Sequence, residues 1–206
     1  MKRIQFVFVI IFVMMLLSAC GGSDNNAKQD GNYETTKKMV VDILQTEDGK
    51  KTLRELMTEE EMKQQLVKVA QSGSRSNFVQ AYSIIEIKDP KRLAEIEKIA
   101  GAPHYITQTG VFYLFVADLY KHHQLLQQAN LPSDGLSNME ALLVAVVDTT
   151  IAAQNMAAFA ETQGLGICYI GGIRNDLFRI TELTELPPYT LPLFGLTIGY
   201  PATKNE

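Results

Sequence analysis

The residues best suited to contact a ligand lie in the stretch Asp148–Asn175, where a long apolar helical pattern stops at Gly164. A short run, Gly166–Ile170, then leads directly into the pair Gly171-Gly172. Because glycine has no Cβ, such a pair lets the backbone approach a ligand closely. This pattern predicts a ligand-contacting turn fed by a buried helix. The alternative is a plain helix–strand–helix connection that contacts no ligand.

No metal or nucleic-acid chemistry is indicated elsewhere in the chain. The three histidines, His104, His122 and His123, have no Cys or Glu at zinc-ligand spacing, so we interpret them as surface or loop residues. The net charge of −4 over 206 residues gives no sign of a nucleic-acid partner. Cys20 and Cys168 lie in contexts too different to predict a disulfide. A hydrophobic content of 46% indicates a globular body.

The elements that must position this turn alternate between strand and helix patterns. Apolar runs rich in β-branched and aromatic residues predict strands at 78–87, 111–117, 166–170 and 192–200. Asp89-Pro90 supplies an N-cap and a first-turn proline for a helix that ends near Gly101. Thr58 and Glu61 have the spacing of a capping box, and residues 121–130 form a short amphipathic pattern. Strands interleaved with helices indicate an α+β fold.

The longest helical pattern, residues 136–164, is apolar nearly all round and is therefore expected to be central and buried. We expect Ala152, Met156 and Phe159 to be core residues of this helix. Asp148 and Asn155 lie seven residues apart and so share one face. Since buried polar groups need partners, we expect them to bond neighbouring loops rather than to catalyse a reaction.

The N-terminus has the pattern of an export signal. Lys2 and Arg3 precede twelve apolar residues, Phe6–Leu17, a run too short to span a bilayer. The residues before Cys20 resemble a bacterial lipobox, which implies a lipid attached to Cys20 and a membrane-anchored mature protein. The alternative is an uncleaved signal anchor. Residues 21–32 are polar and are expected to form a solvated tether.

The segment Tyr33–Leu66 (YETTKKMVVDILQTEDGKKTLRELMTEEEMKQQL) resembles, together with the lipobox, the start of the GerD-type spore germination lipoprotein. The resemblance is long and ungapped and covers the first third of the chain. It implies a non-enzymatic protein anchored outside the spore inner membrane. The later helical part of that family has no counterpart here.

From residue 68 to residue 202 the chain resembles the FMN-dependent nitroreductase and flavin reductase family, in its NADPH-using branch. The motifs are FVQAYSII, VFYLFVADLYKHH, AAQN, GLGICYIGGIRN and LPLFGLTIGYPA, in family order. The resemblance implies a homodimer with FMN at the interface. NADPH would reduce the flavin, which would then reduce a small electron acceptor: a free flavin, a quinone or a nitroaromatic compound.

Two segments match the cofactor-contacting positions of that family. The resemblance implies FMN contacts from Ser74, Ser76, Asn77, Tyr169, Ile170, Gly171 and Gly172. Arg75 departs from the small polar pattern of its loop, and Gly101-Ala102-Pro103 replaces a segment that often carries a glutamine. No catalytic side chain and no metal ligand is implied.

The arginines that hold the FMN phosphate in that family have no counterpart here. The residues ahead of Thr58 contain no motif of the HRSxRxF type, and no Lys-Pro-Arg segment follows the last strand. Each charged hydrogen bond is worth roughly 1.5–3 kcal/mol, so we expect weaker FMN binding than in an intact relative. Arg75 or Arg174 are the candidates to replace these contacts.

The predicted organisation is therefore a lipoprotein signal segment (1–20), a tether and helical germination-type segment (21–67), and a partial nitroreductase-like domain (68–206). The predicted fold is a nitroreductase-like α+β sheet around a long buried helix, truncated at both ends and preceded by two or three short helices that are packed loosely or not at all. Three functions stay open: an FMN-dependent NAD(P)H oxidoreductase, intact or impaired; a membrane-anchored germination lipoprotein with a foreign C-terminal part; and a nonfunctional fusion. The first half implies export, whereas the oxidoreductase part alone implies the cytoplasm.

Overall fold

The computed structural model describes residues 58–201. Its helices are α1 (Glu59–Gln71), α2 (Pro90–Ala100), α3 (Tyr120–Gln128), α4 (Met139–Thr162) and α5 (Leu177–Leu183). Its strands are β1 (Tyr82–Glu86), β2 (Val111–Asp118), β3 (Gly166–Ile170) and β4 (Thr190–Gly199). Short 3-10 helices occupy Ser76–Phe78, Asp134–Ser137 and Gly171–Asp176. The predictions for Cys20, the signal segment and the tether lie outside the described residues.

The four strands form one antiparallel sheet in the order β1-β2-β4-β3. Side chains of β2 alternate between two hydrophobic clusters, as the period of a strand requires. Tyr113 and Phe115 pack with residues of α1 and α4 on one face. Phe112 and Leu114 pack on the other face with residues of α2 and α5. Because β2 is covered on both faces, its sequence is apolar without alternation, which confirms the predicted strand.

Helix α4 crosses one face of the sheet and contributes Ala152, Met156 and neighbouring alanines to the core. Gly164, at φ 71°, follows its last turn, so the predicted stop is confirmed. The helix is not buried all round, however. Phe159 is only half-buried, and an outer row of apolar residues is exposed. Its length and composition would also suit a membrane span, but its packing against the sheet identifies it as a core helix.

Helix α1 begins with the capping box that its sequence predicts. The Thr58 hydroxyl accepts the Glu61 N–H at 3.2 Å, and the Glu61 carboxylate accepts the Thr58 N–H at 2.7 Å. Leu66 and Ala70 are fully buried against the core that α4 and the sheet share. The prediction of loose packing is wrong for this helix, and the boundary drawn after residue 67 falls inside it.

The first strand begins later than predicted. The sequence predicts a strand from residue 78, but β1 starts at Tyr82. Asn77, Phe78 and Gln80 have positive φ values of 45°, 59° and 55°, which no strand can contain. The helix after Asp89 is confirmed, because that carboxylate accepts the Lys91 N–H at 2.8 Å.

Candidate functional site

The two segments predicted to contact a cofactor both lie against the middle of α4. The backbone N–H of Ser76 donates to the Asp148 carboxylate at 3.1 Å. The hydroxyl of Tyr169 donates to the Gln154 side-chain oxygen at 3.4 Å. The long helix therefore positions both segments, although they are about ninety residues apart in the chain.

The loop before β1 places its polar residues at the surface. Ser74, Ser76 and Asn77 are all exposed, so their side chains are accessible to a ligand. The Arg75 guanidinium lies 5.4 Å from the centre of the Phe78 ring, a cation–π contact. The Arg75 Nε atom is buried and has no hydrogen-bond partner among the described residues.

At the end of β3 only part of the predicted segment can offer its side chain. Tyr169 is 38% exposed, and its ring meets Phe194 edge-on at 5.3 Å between centroids. Partial burial raises the pKa of the Tyr169 hydroxyl, and Glu161 adds to the rise. The Ile170 side chain is buried in the core, so only the backbone of this residue is available to a ligand.

The glycine pair has a structural reason that the sequence does not reveal. A Cβ at Gly172 would lie 2.2 Å from the carbonyl oxygen of Ala100, which ends α2. At Gly171 a Cβ would meet the end of the Arg174 side chain at 3.2 Å. Close packing against α2 therefore explains glycine at position 172 without any ligand, and a flavin contact there stays a prediction.

Arg174 is committed to the protein itself. Its guanidinium donates to the carbonyl oxygen of Leu193 on β4. This contact ties the 3-10 helix that follows β3 to the neighbouring strand. Of the two arginines that the sequence offers as phosphate ligands, Arg174 is thus the one with a partner already.

The prediction that the buried polar residues of α4 bond neighbouring loops is confirmed for Asp148. Its side chain is 1% exposed, and it accepts N–H groups from Ser76 and, at 3.4 Å, from Ala81. Asn155 lies beside the same loop, since a Cβ at Gly73 would be 3.0 Å from its amide nitrogen.

Two of the histidines lie on helix α3 rather than in loops. His122 places its Nε2 atom 2.8 Å from the Val79 carbonyl oxygen. The His123 ring stacks on Tyr189 at 4.4 Å between centroids. Within residues 58–201, no three His, Cys, Asp or Glu side chains come together to hold a metal ion.

An apolar groove in the described part of the chain lies away from these segments. It has a volume of about 310 Å³ and is bounded by the end of β2, the start of α4 and the start of β4. Leu119, Leu142 and Leu191 are among its lining residues. It contains none of the residues predicted to contact the cofactor.

Comparison with known proteins places these features in a family. The sequence pattern of the Nitroreductase family matches residues 31–200. This match also includes the segment from Tyr33 that resembles a germination lipoprotein.

The curated relatives and solved structures agree with that match. The chain is 48% identical over 152 residues to "FMN reductase (NADPH)" of Bacillus subtilis, covering 73% of this chain and 61% of the relative. It is 40% identical over 153 residues to "NADPH-dependent oxidoreductase" of Staphylococcus saprophyticus, covering 74% and 60%. A nitroreductase structure from B. subtilis superposes with a TM-score of 0.69 at 46% identity, over 73% of this chain and 62% of that one.

A more distant structure gives the same fold. The NADPH:FMN oxidoreductase from Vibrio harveyi superposes with a TM-score of 0.65 at 32% identity, over 73% of this chain and 63% of that one. The chain spans about three fifths of the length of the relatives that it matches. With its antiparallel sheet, its central helix and the turn after β3, this chain belongs to the nitroreductase family.

Proposed function

We propose that this protein is an FMN-dependent NAD(P)H oxidoreductase that uses NADPH to reduce a small acceptor: a flavin, a quinone or a nitroaromatic compound. The observation that carries the proposal is the 48% identity to an FMN reductase that uses NADPH. That identity covers 73% of this chain, so it includes most of the described fold. Bound FMN would accept a hydride from NADPH and pass the electrons to the acceptor.

The backbone after β3 suits the ring of the flavin. Gly171 and Gly172 begin a 3-10 helix, and the first N–H groups of a helix have no partner within it. N–H groups aimed at a flavin ring stabilise the negative charge that the ring gains on reduction. Tyr169 and Ile170 precede them, and we expect the whole segment Tyr169–Gly172 to contact the ring mainly through its backbone.

The loop at Ser74–Asn77 suits the ribityl chain and the phosphate. Its hydroxyl and amide side chains are exposed and can donate to or accept from the ribityl hydroxyls. The buried Arg75 Nε lacks a partner among the described residues, and guanidinium is well matched to phosphate. Since Arg174 already donates to Leu193, we propose that Arg75 is the arginine that binds the FMN phosphate.

We also propose that the active form is a homodimer. The outer row of α4 exposes Met139, Leu143 and Val147, which are 67%, 51% and 52% exposed and lie on successive turns. Apolar side chains aligned in this way on a helix are typical of an interface.

The proposed activity is tested by following NADPH oxidation at 340 nm with a flavin, quinone or nitroaromatic acceptor. The full chain should oxidise NADPH when FMN and an acceptor are both supplied. FMN with acceptor but no protein measures the background reaction. If, at saturating FMN, the chain oxidised NADPH no faster than this background with every acceptor class, the proposal would be contradicted.

The location of the protein is a separate proposal. We propose that the oxidoreductase works in the cytoplasm, where FMN and NADPH are available. The lipid at Cys20 and a germination-type role rest on residues that precede the described part of the chain. Fatty-acid labelling of the full chain and of Cys20→Ala decides the matter. Label that depends on Cys20 would support the anchored lipoprotein, and equal label in both would exclude it.

A further inference from the structure

The segment between α1 and β1 is held in a conformation that its own residues disfavour. Asn77, Phe78 and Gln80 all have positive φ, and none of them is glycine. Such backbone persists only where the surroundings determine it, and it is concentrated at ligand-binding sites. Something outside the segment must therefore fix residues 76–81 in place.

Asp148 is the buried side chain that contacts both ends of this segment. One carboxylate oxygen accepts the N–H of Ser76 and the other accepts the N–H of Ala81, so the two bonds hold both ends of the strained segment. Burying a carboxylate is costly unless its hydrogen bonds repay the loss of water. Asp148 is 1% exposed and forms no ion pair within residues 58–201, so these two bonds are the polar contacts that offset its burial.

Helix α3 also holds this segment, by contacting carbonyl groups of the segment and of the residue that follows it. Lys121 Nζ lies 3.3 Å from the Gln80 carbonyl oxygen and 2.6 Å from that of Tyr82. These contacts use side chains that are exposed or half-buried. Asp148 is the fully buried side chain among these contacts and belongs to the central helix, so it links the position of the segment to that helix.

We infer that Asp148 is a positioning residue for the cofactor: it holds the Ser74–Asn77 loop in its binding conformation before the flavin arrives. This inference rests on the proposed function, since the loop is proposed to contact FMN. A preformed loop binds FMN more tightly, because the entropy of ordering the loop is not lost when FMN binds. Asp148 itself need not touch the flavin.

The test compares the full chain with Asp148→Asn, which keeps the shape of the side chain but has one acceptor oxygen in place of two. Asp134→Asn is the exposed control for the loss of a carboxylate. Ile180→Val, in the cluster on the other face of the sheet, is the control for lowered stability. Amide hydrogen exchange of residues 74–82 without flavin and FMN affinity by flavin fluorescence are measured for each.

We expect Asp148→Asn to speed exchange in residues 76–81 and to weaken FMN binding, each by roughly tenfold. Saturating FMN should restore the protection, and neither control should change the loop or the affinity more than twofold. If Asp148→Asn does not fold, Ser76→Pro replaces it in the test, because proline lacks the backbone N–H that Ser76 donates to Asp148. This variant leaves α4 unchanged, and we then expect faster exchange at Ala81.

Unchanged exchange in Asp148→Asn, or an affinity within twofold of the parent chain, would overturn the inference. A weaker affinity shared by Ile180→Val would also overturn it, because general loss of stability would then explain the effect. If the parent chain binds no FMN, the proposed function and the cofactor role of Asp148 both fail. The exchange measurement would still decide whether Asp148 holds the loop.

Discussion

Gly172 lies so close to Ala100 that a Cβ on the glycine would be 2.2 Å from the Ala100 carbonyl oxygen. This contact packs the turn after β3 against the end of α2, and it fixes the position of the backbone proposed to face the flavin. A side chain here would have to displace backbone rather than the flexible end of a side chain.

We therefore expect Gly172→Ala to lower the free energy of unfolding by about 1–3 kcal/mol, the usual cost of overpacking. A denaturant melt of the cofactor-free full chain measures this. Gly135→Ala is the matched control, because a Cβ at Gly135 would have no neighbour within 4 Å. Equal stability of Gly172→Ala and the parent chain would show that the glycine is not required for packing.

Glu97 gives a prediction for low pH. Its carboxylate accepts the Thr107 N–H at 2.8 Å, the Thr107 hydroxyl at 2.9 Å and the Ile106 N–H at 3.1 Å. These bonds, the Thr107 N–H foremost, lower the pKa of Glu97 from 4.5 to about 2. Because the folded-state pKa is the lower one, the stabilisation is complete above about pH 4.5 and is lost as the pH falls through about 2.

Amide exchange at Ile106 and Thr107, normalised for its intrinsic pH dependence, should therefore lose protection between pH 4.5 and 2. Glu97→Gln should remove that step, since its side chain does not titrate in this range. Glu60→Gln, an exposed change on α1, should leave it in place. If the two amides of Glu97→Gln still lost protection over this pH range, another titrating group would be responsible.

Tyr113 is a core residue whose hydroxyl has no hydrogen-bond partner among the described residues. Burial, with a smaller contribution from Glu86, raises the pKa of Tyr113 to about 12. Since an unpaired buried hydroxyl costs free energy, Tyr113→Phe should keep the stability or raise it by about 1 kcal/mol. Met156→Ala, in the same cluster, should instead lose about 2–5 kcal/mol.

Thermal or chemical melts at pH 7 measure both changes. A loss of more than 1 kcal/mol in Tyr113→Phe would reveal a partner for the hydroxyl, and the account of this cluster would then be wrong. The parent chain should also lose stability between pH 10 and about 12, because folding favours the neutral phenol.

The exposed row on α4 predicts the oligomeric state. The full chain should sediment as a dimer at micromolar concentration, and Leu143→Glu should shift it to monomer because a charge would be buried in the interface. Leu125→Glu changes a leucine on α3 that is 62% exposed, against 51% for Leu143, and should leave the dimer intact. A monomeric parent chain would contradict the proposed interface.

The sequence predicts local features of this fold better than long-range ones. Asp89-Pro90 and Gly101 mark the ends of α2 because capping chemistry depends on residues close in the chain. The start of β1 is missed because positive φ at Asn77 and Phe78 is imposed from elsewhere, by contacts such as Asp148.

In the candidate site, too, the sequence predicts local features but not long-range contacts. The sequence predicts that Asp148 on α4 bonds a neighbouring loop, because a polar residue on an apolar helix needs a partner. The FMN contacts of Ser74–Asn77 and Tyr169–Gly172 stay predictions that the family resemblance implies. The sequence does not show that Gly172 packs on Ala100, because the two residues are far apart in the chain. Nor does it show which side of α4 is exposed, because both sides are apolar.

Replacing Arg75 tests whether this arginine binds the FMN phosphate. Arg75→Ala should weaken FMN binding by roughly tenfold or more, the loss expected for a charged hydrogen bond. Arg92→Ala changes an arginine paired with Glu185 on the surface and should leave the affinity unchanged. Riboflavin, which lacks the phosphate, should bind Arg75→Ala and the parent chain equally well.

We expect this chain to bind FMN through its own described segments, and a titration of the full chain with FMN measures that binding. Flavin fluorescence should change in a saturable way, with one FMN per chain at the end point. Arg75→Ala should require more FMN to reach the same end point. A fluorescence signal that stays equal to that of free FMN at every protein concentration would contradict this expectation.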